Sequence, residues 1–260
     1  INADIMFSLP NETLKEIKNT VDEVLKLKIE HILRVAKNCK KIAQSLNLSD
    51  DDVMLSYLIG ICHDIGRFEQ VKRFNTFSDK DSKLDHAEYS NYVLFEQGLI
   101  NEFNPNINNY NIIKKAVKNH NKLNIEEGLT ERELMFAKII RDADKLDILY
   151  LIHIENKEDI YWYNDFSCTK LNYKLFEDIL DYKLINYKDI YNNADQIITF
   201  YNYSYDLYFK ESYKIILDNK YYEKYLEKVK DTFEASVYEK IYLIHIYVLN
   251  YINKKIKSTN

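Results

Sequence analysis

Apolar residues recur at steps of three and four positions along nearly the whole chain, which is the spacing of amphipathic helices. The pattern predicts an all-α fold with helices over residues 14–25, 29–46, 50–65, 86–97, 109–119, 130–154, 171–182, 194–217 and 221–256. The helix over residues 50–65 is almost continuously apolar from Val53 to Cys62. We therefore expect it to be the central buried helix.

Several predicted helices carry residues that are typical of helix ends. Ser49, followed by three aspartates, is expected to begin the helix over residues 50–65, and Gly66 to end it. Asp85 is a second predicted N-cap, and Thr130 to Glu133 form a capping box. The mixed basic and aromatic stretch from Arg67 to Leu84 is predicted to be a loop.

The composition supports a helical fold and narrows the ligand class. The 260 residues include only four Gly and two Pro, too few for the turns of β-sandwiches and β-barrels. The net charge is −5, with basic and acidic residues interspersed, so we expect no nucleic-acid partner and no membrane partner. Three cysteines without a C-x-x-C pair argue against disulfides, which favours a cytoplasmic location. A small molecule is the expected ligand.

Tyrosine is concentrated in the second part of the chain, where 18 of the 23 tyrosines follow residue 150. We predict two regions, residues 1–155 and a Tyr-rich helical extension over residues 156–260 that packs on the first. Periodic aromatic residues usually form packing surfaces, although aromatic walls for a ligand are the alternative. The extension would then serve as a cap or as the interface of a homo-oligomer.

Ionisable residues inside apolar helices are the strongest chemical signal. His63 and Asp64 end the most apolar helix, where an unpaired buried carboxylate would be unfavourable by several kcal/mol. A bound metal ion would remove that penalty. A second ionisable cluster, residues 141–147, lies in another apolar helix. Because helical bundles build metal sites from ligands donated inward by several helices, the two clusters indicate a shared metal site.

Four of these residues, in chain order, resemble the H…HD…D signature of the HD superfamily of metal-dependent phosphohydrolases: His31, His63, Asp64 and Asp144. The run HDIGR at residues 63–67 is similar to the family's HD-x-G-[KR], and DADKLD at residues 142–147 is similar to its D-A-D-x-L-D helix. The resemblance covers about residues 25–155. It implies an HD-domain helical bundle, to which the additional C-terminal helices are attached.

The resemblance also implies the metal ligands. One ion would be held by His31, His63, Asp64 and Asp144. A second would be held by His86 and His120, where binuclear members of the superfamily carry two further histidines, with Asp64 bridging the ions through its two oxygens. Nitrogen-rich ligation favours one or two divalent ions of Mn, Fe, Co, Ni or Zn over Mg or Ca. The chain lacks the GYP tripeptide and has Asn121 after His120, so a cyclic-dinucleotide diesterase is not expected.

The activity implied is hydrolysis of a phosphoester or phosphoanhydride by a metal-activated hydroxide. Besides Asp64, four residues near the ligands are candidates for catalytic roles. Arg67, Lys122 and Lys145 are candidates for stabilising charge on the phosphoryl oxygens. Asp147, one turn after Asp144, would orient a ligand or assist proton transfer, and a structural salt bridge is the alternative.

The basic and aromatic side chains of residues 67–74 suggest a nucleotide-like substrate, because such side chains stack bases and bind phosphates. A helix-packing loop is the alternative interpretation. Two other functions remain open for the same ligand set: an HD-type di-iron oxygenase, and a catalytically silent metal-binding regulatory module. His153 and His245 are interpreted as structural histidines.

Overall fold

The computed structural model describes residues 14–155 and 170–258. Every regular element in these two ranges is a helix, which confirms the all-α prediction. The chain divides into two compact units, one up to Asp147 and the other from Ile148 onward. The domain boundary predicted after residue 155 stays a prediction. Within the described ranges, no helix has both the length and the apolar character needed to cross a bilayer.

Seven helices are described in the first unit: α1 (Leu14–Ser45), α2 (Asp50–Cys62), α3 (Gly66–Phe74), α4 (Asp79–Ser82), α5 (His86–Asn91), α6 (Tyr110–Asn119) and α7 (Glu131–Ile154), whose last turns belong to the second unit. A π-helical turn, Tyr92–Glu96, continues α5. Two 3-10 helices, Leu99–Phe103 and Ile107–Asn109, lead into α6.

Helices α1 and α2 form the closest packing in this unit. A Cβ atom at Gly60 would lie only 2.5 Å from the Cα atom of Ala36, so the two backbones approach each other in a way that other residues would prevent. Val35, Cys39 and Ile59 are fully or almost fully buried. The most apolar helix of the sequence is therefore a core helix, as the pattern predicted.

The predicted caps are present. The Ser49 side chain accepts a hydrogen bond from the backbone N–H of Asp52, and Asp85 accepts two at the start of α5. Glu133 accepts hydrogen bonds from the backbone N–H and the hydroxyl of Thr130, whose hydroxyl in turn accepts one from the Glu133 N–H. These local contacts explain why the starts of α2, α5 and α7 agree with the sequence.

The stretch from Arg67 to Leu84 is not a loop, and Gly66 does not end α2. Helix α2 ends at Cys62, and Gly66 is the first residue of α3. The glycine is needed for packing, because a Cβ atom there would lie 2.5 Å from the backbone nitrogen of Ser90. Asn75, in the left-handed conformation, ends α3, and Ser78 caps α4.

The two helices predicted over residues 14–25 and 29–46 are one continuous helix, α1. The residues between them, Lys26 to Lys28, are good helix formers, and neither Gly nor Pro interrupts the segment. Leu25, Ile32 and Cys39 recur every seven residues, so one apolar face continues through this segment.

In the second unit, the described helices after α7 are α8 (Tyr173–Leu180), α9 (Asn193–Asn202), α10 (Lys210–Asn219), α11 (Tyr221–Val229) and α12 (Ala235–Lys257). Helix α12 packs against each of the other four. All ten residues of α9 are buried, and the rings of Tyr201 and Tyr222 stack with centroids 4.7 Å apart. Many tyrosines of this unit thus form packing contacts.

The predicted helices over residues 194–217 and 221–256 are each divided in two. The first break follows the 3-10 helix Tyr203–Asp206, where the Tyr213 hydroxyl donates to the carbonyl oxygens of Ser204 and Leu207, at 3.2 and 2.8 Å. The second break lies between Val229 and Ala235. At the first break, a side chain binds carbonyls that a helix would otherwise have paired, a contact that helical periodicity does not reveal.

Replacing Gly60 by Ala tests the close approach of α1 and α2. Glycine to alanine inside a helix normally stabilises by about 1 kcal/mol. Here we expect the opposite, a loss of about 1–3 kcal/mol in the free energy of unfolding, because the new methyl group overlaps the Ala36 backbone. Urea denaturation measures the change. Met54→Ala, at an exposed position of the same helix, is the control and should be nearly neutral.

Candidate metal centre

Six residues from five parts of the first unit converge at one place. His31 lies on α1, His63 and Asp64 directly follow α2, His86 is the first residue of α5, His120 directly follows α6, and Asp144 lies on α7. In three triads drawn from these six, the ligand atoms lie within 4.8 Å of one another: His31, His63 and Asp64; His63, His120 and Asp144; Asp64, His86 and His120. The structure thus brings together every residue predicted to bind metal.

The Asp64 carboxylate lies between two groups of imidazoles. Its Oδ2 atom is 3.6 Å from Nε2 of His31 and 3.6 Å from Nε2 of His63. Its Oδ1 atom is 3.6 Å from Nε2 of His86 and 3.6 Å from Nε2 of His120. Two ligand atoms that each lie about 2.1 Å from a common ion are about 3–4 Å from each other. Each oxygen of Asp64 is therefore at a suitable distance to bind the same ion as one pair of ring nitrogens.

Asp144 completes the group around Oδ2. Its Oδ1 atom lies 3.3 Å from Nε2 of His31 and 3.8 Å from Nε2 of His63. The first group therefore offers two imidazole nitrogens and two carboxylates. The second group offers the nitrogens of His86 and His120, whose Nε2 atoms are 3.0 Å apart, together with the shared Asp64.

Two of the candidate ligand atoms, Nε2 of His63 and Oδ1 of Asp64, are buried and have no hydrogen-bond partner among the described residues. Buried polar atoms are almost always satisfied, so these two atoms require a further partner. The His63 ring donates from Nδ1 to the Gly60 carbonyl at 2.8 Å, and this leaves the lone pair of Nε2 available. Both atoms fit a divalent metal ion.

The family model of the HD domain matches residues 29–149. Over these residues the chain is similar to the HD-domain family. No match was found among curated proteins or among solved structures. The HD domain is typical of metal-dependent phosphohydrolases, and the clustered His and Asp residues of this HD domain are compatible with a divalent metal site.

The histidine rings of the candidate metal centre differ in protonation. Burial and the Lys28 charge lower the pKa of His31, but contacts with three carboxylates outweigh them and raise this pKa to about 9. Burial lowers the pKa of His63 and of His86 to about 4. Burial opposes ionisation of Asp144, yet the hydrogen bond and charge of His31 hold its pKa well below the usual range. At neutral pH the metal-free site therefore contains an imidazolium at His31 and neutral rings at His63 and His86.

Three of the predicted catalytic residues have protein partners of their own. The buried Arg67 guanidinium donates to Oδ1 of Asp79 at 2.9 Å, to Gln70 and to the Phe77 carbonyl. Lys122 forms an ion pair with Asp85. Asp147 lies 2.7 Å from Nδ1 of His31 and accepts a hydrogen bond from Nε of Arg34 at 2.6 Å. This geometry fits both the ligand-orienting role of Asp147 and the alternative of a structural salt bridge, and the roles of Arg67 and Lys122 at phosphate stay predictions.

Lys145 lies half-buried on α7, directly after Asp144. The sequence position alone suggested a role at phosphate, and that role also stays a prediction. The two histidines interpreted as structural, His153 and His245, both lie in the second unit.

Three residues around the centre, Lys28, Arg34 and Asp79, were not singled out from the sequence, and Arg141 was named only as part of the ionisable cluster over residues 141–147. Lys28 contacts Asp64, Arg34 contacts Asp147, and Asp79 contacts His86 through its Nδ1 at 2.6 Å. Arg141, only 1% exposed, donates to the carbonyls of Asn119, Lys122 and Leu123, which follow or end α6 beside His120. The positions of Lys28 and Arg34, one turn before and after His31, were the available signal. Asp79 had none.

Metal binding should release a proton from His31. A ligating imidazole must be neutral, and the raised pKa of about 9 means that this ring is protonated at pH 7. We expect about one proton released at pH 7 and affinity that rises with pH until about pH 9. Calorimetric titration with Mn²⁺ in two buffers of different ionisation enthalpy measures the number of protons. Equal enthalpies in both buffers at pH 7 would contradict this expectation.

Proposed function

We propose that this HD domain is a metal-dependent phosphohydrolase that cleaves a phosphoester or phosphoanhydride in a nucleotide-like small molecule. One observation carries the proposal: the two oxygens of the buried Asp64 each face a different pair of imidazole nitrogens. Such an arrangement would suit two ions that share one carboxylate, and pairs of ions of this kind serve in displacement at phosphorus.

The residues of the centre fall into two groups of ligands. His31, His63, Asp64 and Asp144 would hold one ion, and His86, His120 and Asp64 the other. When bound, divalent ions supply Lewis-acid charge and lower the pKa of water, so that a nucleophile is available at neutral pH. Asp147 keeps the His31 ring in place through Nδ1. Because the cluster is largely buried, these charges act in a medium where water screens them little.

Lys28 is the cation that we assign to the substrate phosphoryl group. Its Nζ atom lies 2.9 Å from Oδ2 of Asp64, and its side chain keeps some exposure, 16%. An ion held by Asp64 would compete with Lys28 for this carboxylate, and the ammonium group would then be available to an anionic oxygen of the substrate. Arg67, in contrast, is buried and donates from one terminal nitrogen to Gln70 and Asp79, while its Nε lies 3.8 Å from Oδ1 of Asp64 without a hydrogen-bond partner among the described residues.

The nucleotide class is supported by basic and aromatic side chains on and around α3. Lys72, Arg73 and Phe74 are exposed at the end of this helix, and the Arg73 guanidinium lies 5.7 Å from the ring centre of Tyr89. Such pairs of arginine and aromatic rings are suited to stacking with a base.

Removal of a ligand from the first group should abolish turnover. The purified chain is analysed for metals, then screened with Mn²⁺ against nucleoside mono-, di- and triphosphates. His63→Ala and Asp144→Ala should lower phosphate release by more than about 100-fold, beyond the 10–100-fold typical of residues that only orient ligands. His153→Ala, a histidine of α7 outside the cluster, is the control.

The same experiment separates the alternatives. Phosphate release that persists unchanged in both ligand variants would disprove the assignment. Bound iron with oxygen consumption and no phosphate release would identify the oxygenase alternative. Tight metal binding with neither activity would identify a regulatory module.

Loss of the Lys28 charge should weaken substrate binding. In Lys28→Met we expect KM for the phosphorylated substrate to rise by about tenfold or more, because a charge-assisted hydrogen bond contributes about 1.5–3 kcal/mol. Lys26→Met, at an exposed position two residues earlier on α1, is the control. Steady-state phosphate release gives KM and kcat for each variant, and an unchanged KM in Lys28→Met would contradict the assignment.

A further inference from the structure

The four histidines of the centre are held through Nδ1 in two different ways. His63 and His120 donate from Nδ1 to carbonyl oxygens three residues earlier in the chain, those of Gly60 at 2.8 Å and Val117 at 2.7 Å. His31 and His86 instead face carboxylates with Nδ1, at 2.7 Å from Asp147 and 2.6 Å from Asp79. Each group around Asp64 thus contains one ring of each kind.

The two carboxylates are themselves held in the same manner. Asp147 pairs with Arg34 through Nε at 2.6 Å, and Asp79 pairs with Arg67 through a terminal guanidinium nitrogen at 2.9 Å. Both sides therefore repeat one arrangement, arginine to aspartate to Nδ1 of histidine, with Nε2 of the histidine directed at an oxygen of Asp64. A carboxylate on Nδ1 fixes the ring orientation and increases the basicity of Nε2.

Asp79 has contacts that join three helices. Its Oδ1 atom accepts hydrogen bonds from Arg67 and from Nε2 of Gln70 at 3.2 Å, both on α3. Its Oδ2 atom accepts a hydrogen bond from the backbone N–H of His86 at 3.3 Å in addition to the ring contact. Asp79 begins α4 and His86 begins α5, so the position of the His86 ring depends on how α3, α4 and α5 are joined.

We propose that Asp79, held by Arg67, is the positioning residue of the second metal site, and that it makes this site separable from the first. The inference rests on the proposed binuclear function and deepens it. Loss of Asp79 frees the His86 ring, while the ligands of the first group keep their own contacts with Asp147, Arg34 and the Gly60 carbonyl. The segment Gly66–His86 is thus the scaffold of the second ion.

The test is metal binding in the absence of substrate. The full chain is stripped with a chelator and titrated with Co²⁺, with the bound ions counted by elemental analysis after equilibrium dialysis and their coordination followed by visible absorption. Wild type should bind two ions. Asp79→Ala should bind one ion with wild-type affinity and the other about 10–100-fold more weakly. Asp81→Ala, an exposed aspartate on the same short helix, is the matched control and should bind both ions as wild type does.

Three results would overturn the proposal: an Asp79→Ala variant that binds both ions with wild-type affinity, one that loses both ions equally, and a wild type that binds fewer than two. If Asp79→Ala does not fold, Asp79→Asn decides, because it keeps the shape of the side chain and removes its charge. An unchanged second affinity in Asp79→Asn then overturns the proposal, and a selective loss supports it.

Ion binding and turnover are measured separately, so each of the two proposals can be contradicted without the other. A wild type that binds two ions and releases no phosphate from any nucleotide contradicts the proposed function alone. A wild type that releases phosphate while Asp79→Ala keeps both ions contradicts the role of Asp79 alone. General destabilisation of the fold would weaken both ions together, so the ratio of the two affinities reports on positioning.

Discussion

The first unit depends on how the charge of one buried carboxylate is compensated. Asp64, only 4% exposed, directly follows the most apolar helix, where an isolated ionised group would be strongly unfavourable. Burial opposes its ionisation, but the Lys28 charge and hydrogen bonds from the rings of His120 and His31 outweigh this effect and hold its pKa well below the usual range. These partners come from different helices. Compensation of this single charge therefore depends on α1 and the end of α6 meeting the end of α2 at one place.

The groups around this carboxylate are held by the half-buried Arg34 and the buried Arg141 as well as by the ligands themselves. Arg34 holds the carboxylate behind His31, and Arg141 joins α7 to the carbonyls that follow α6. The guanidinium group suits this function because it offers several N–H donors in a fixed plane. Ionisable residues inside the apolar α7 thus have two purposes, since Asp144 faces the centre and Arg141 supports the segment that carries His120.

The sequence predicted the convergence of the six ligands, because the residues that carry it follow a family pattern and lie at the ends or on the faces of strongly periodic helices. It did not predict Asp79, whose position depends on α3 and α4, a stretch that was predicted to be a loop. Gly66 was interpreted as a helix end, although its lack of a Cβ atom is required by the backbone of Ser90. The second unit shows the same limit, because the contacts of Tyr213 interrupt a periodic segment. Tertiary contacts of this kind leave no local pattern.

The two groups of ligands also differ in charge, and this difference connects the geometry to an anionic substrate. Around Oδ2, Asp64 and Asp144 together offset most of the charge of a divalent ion. Around Oδ1, the second ion would have two imidazoles, neutral when they ligate, and only a share of the Asp64 charge. Excess positive charge would therefore remain on the side of His86 and His120. In a largely buried site that charge is weakly screened, so an anionic oxygen of a phosphate would be favoured there over a neutral group.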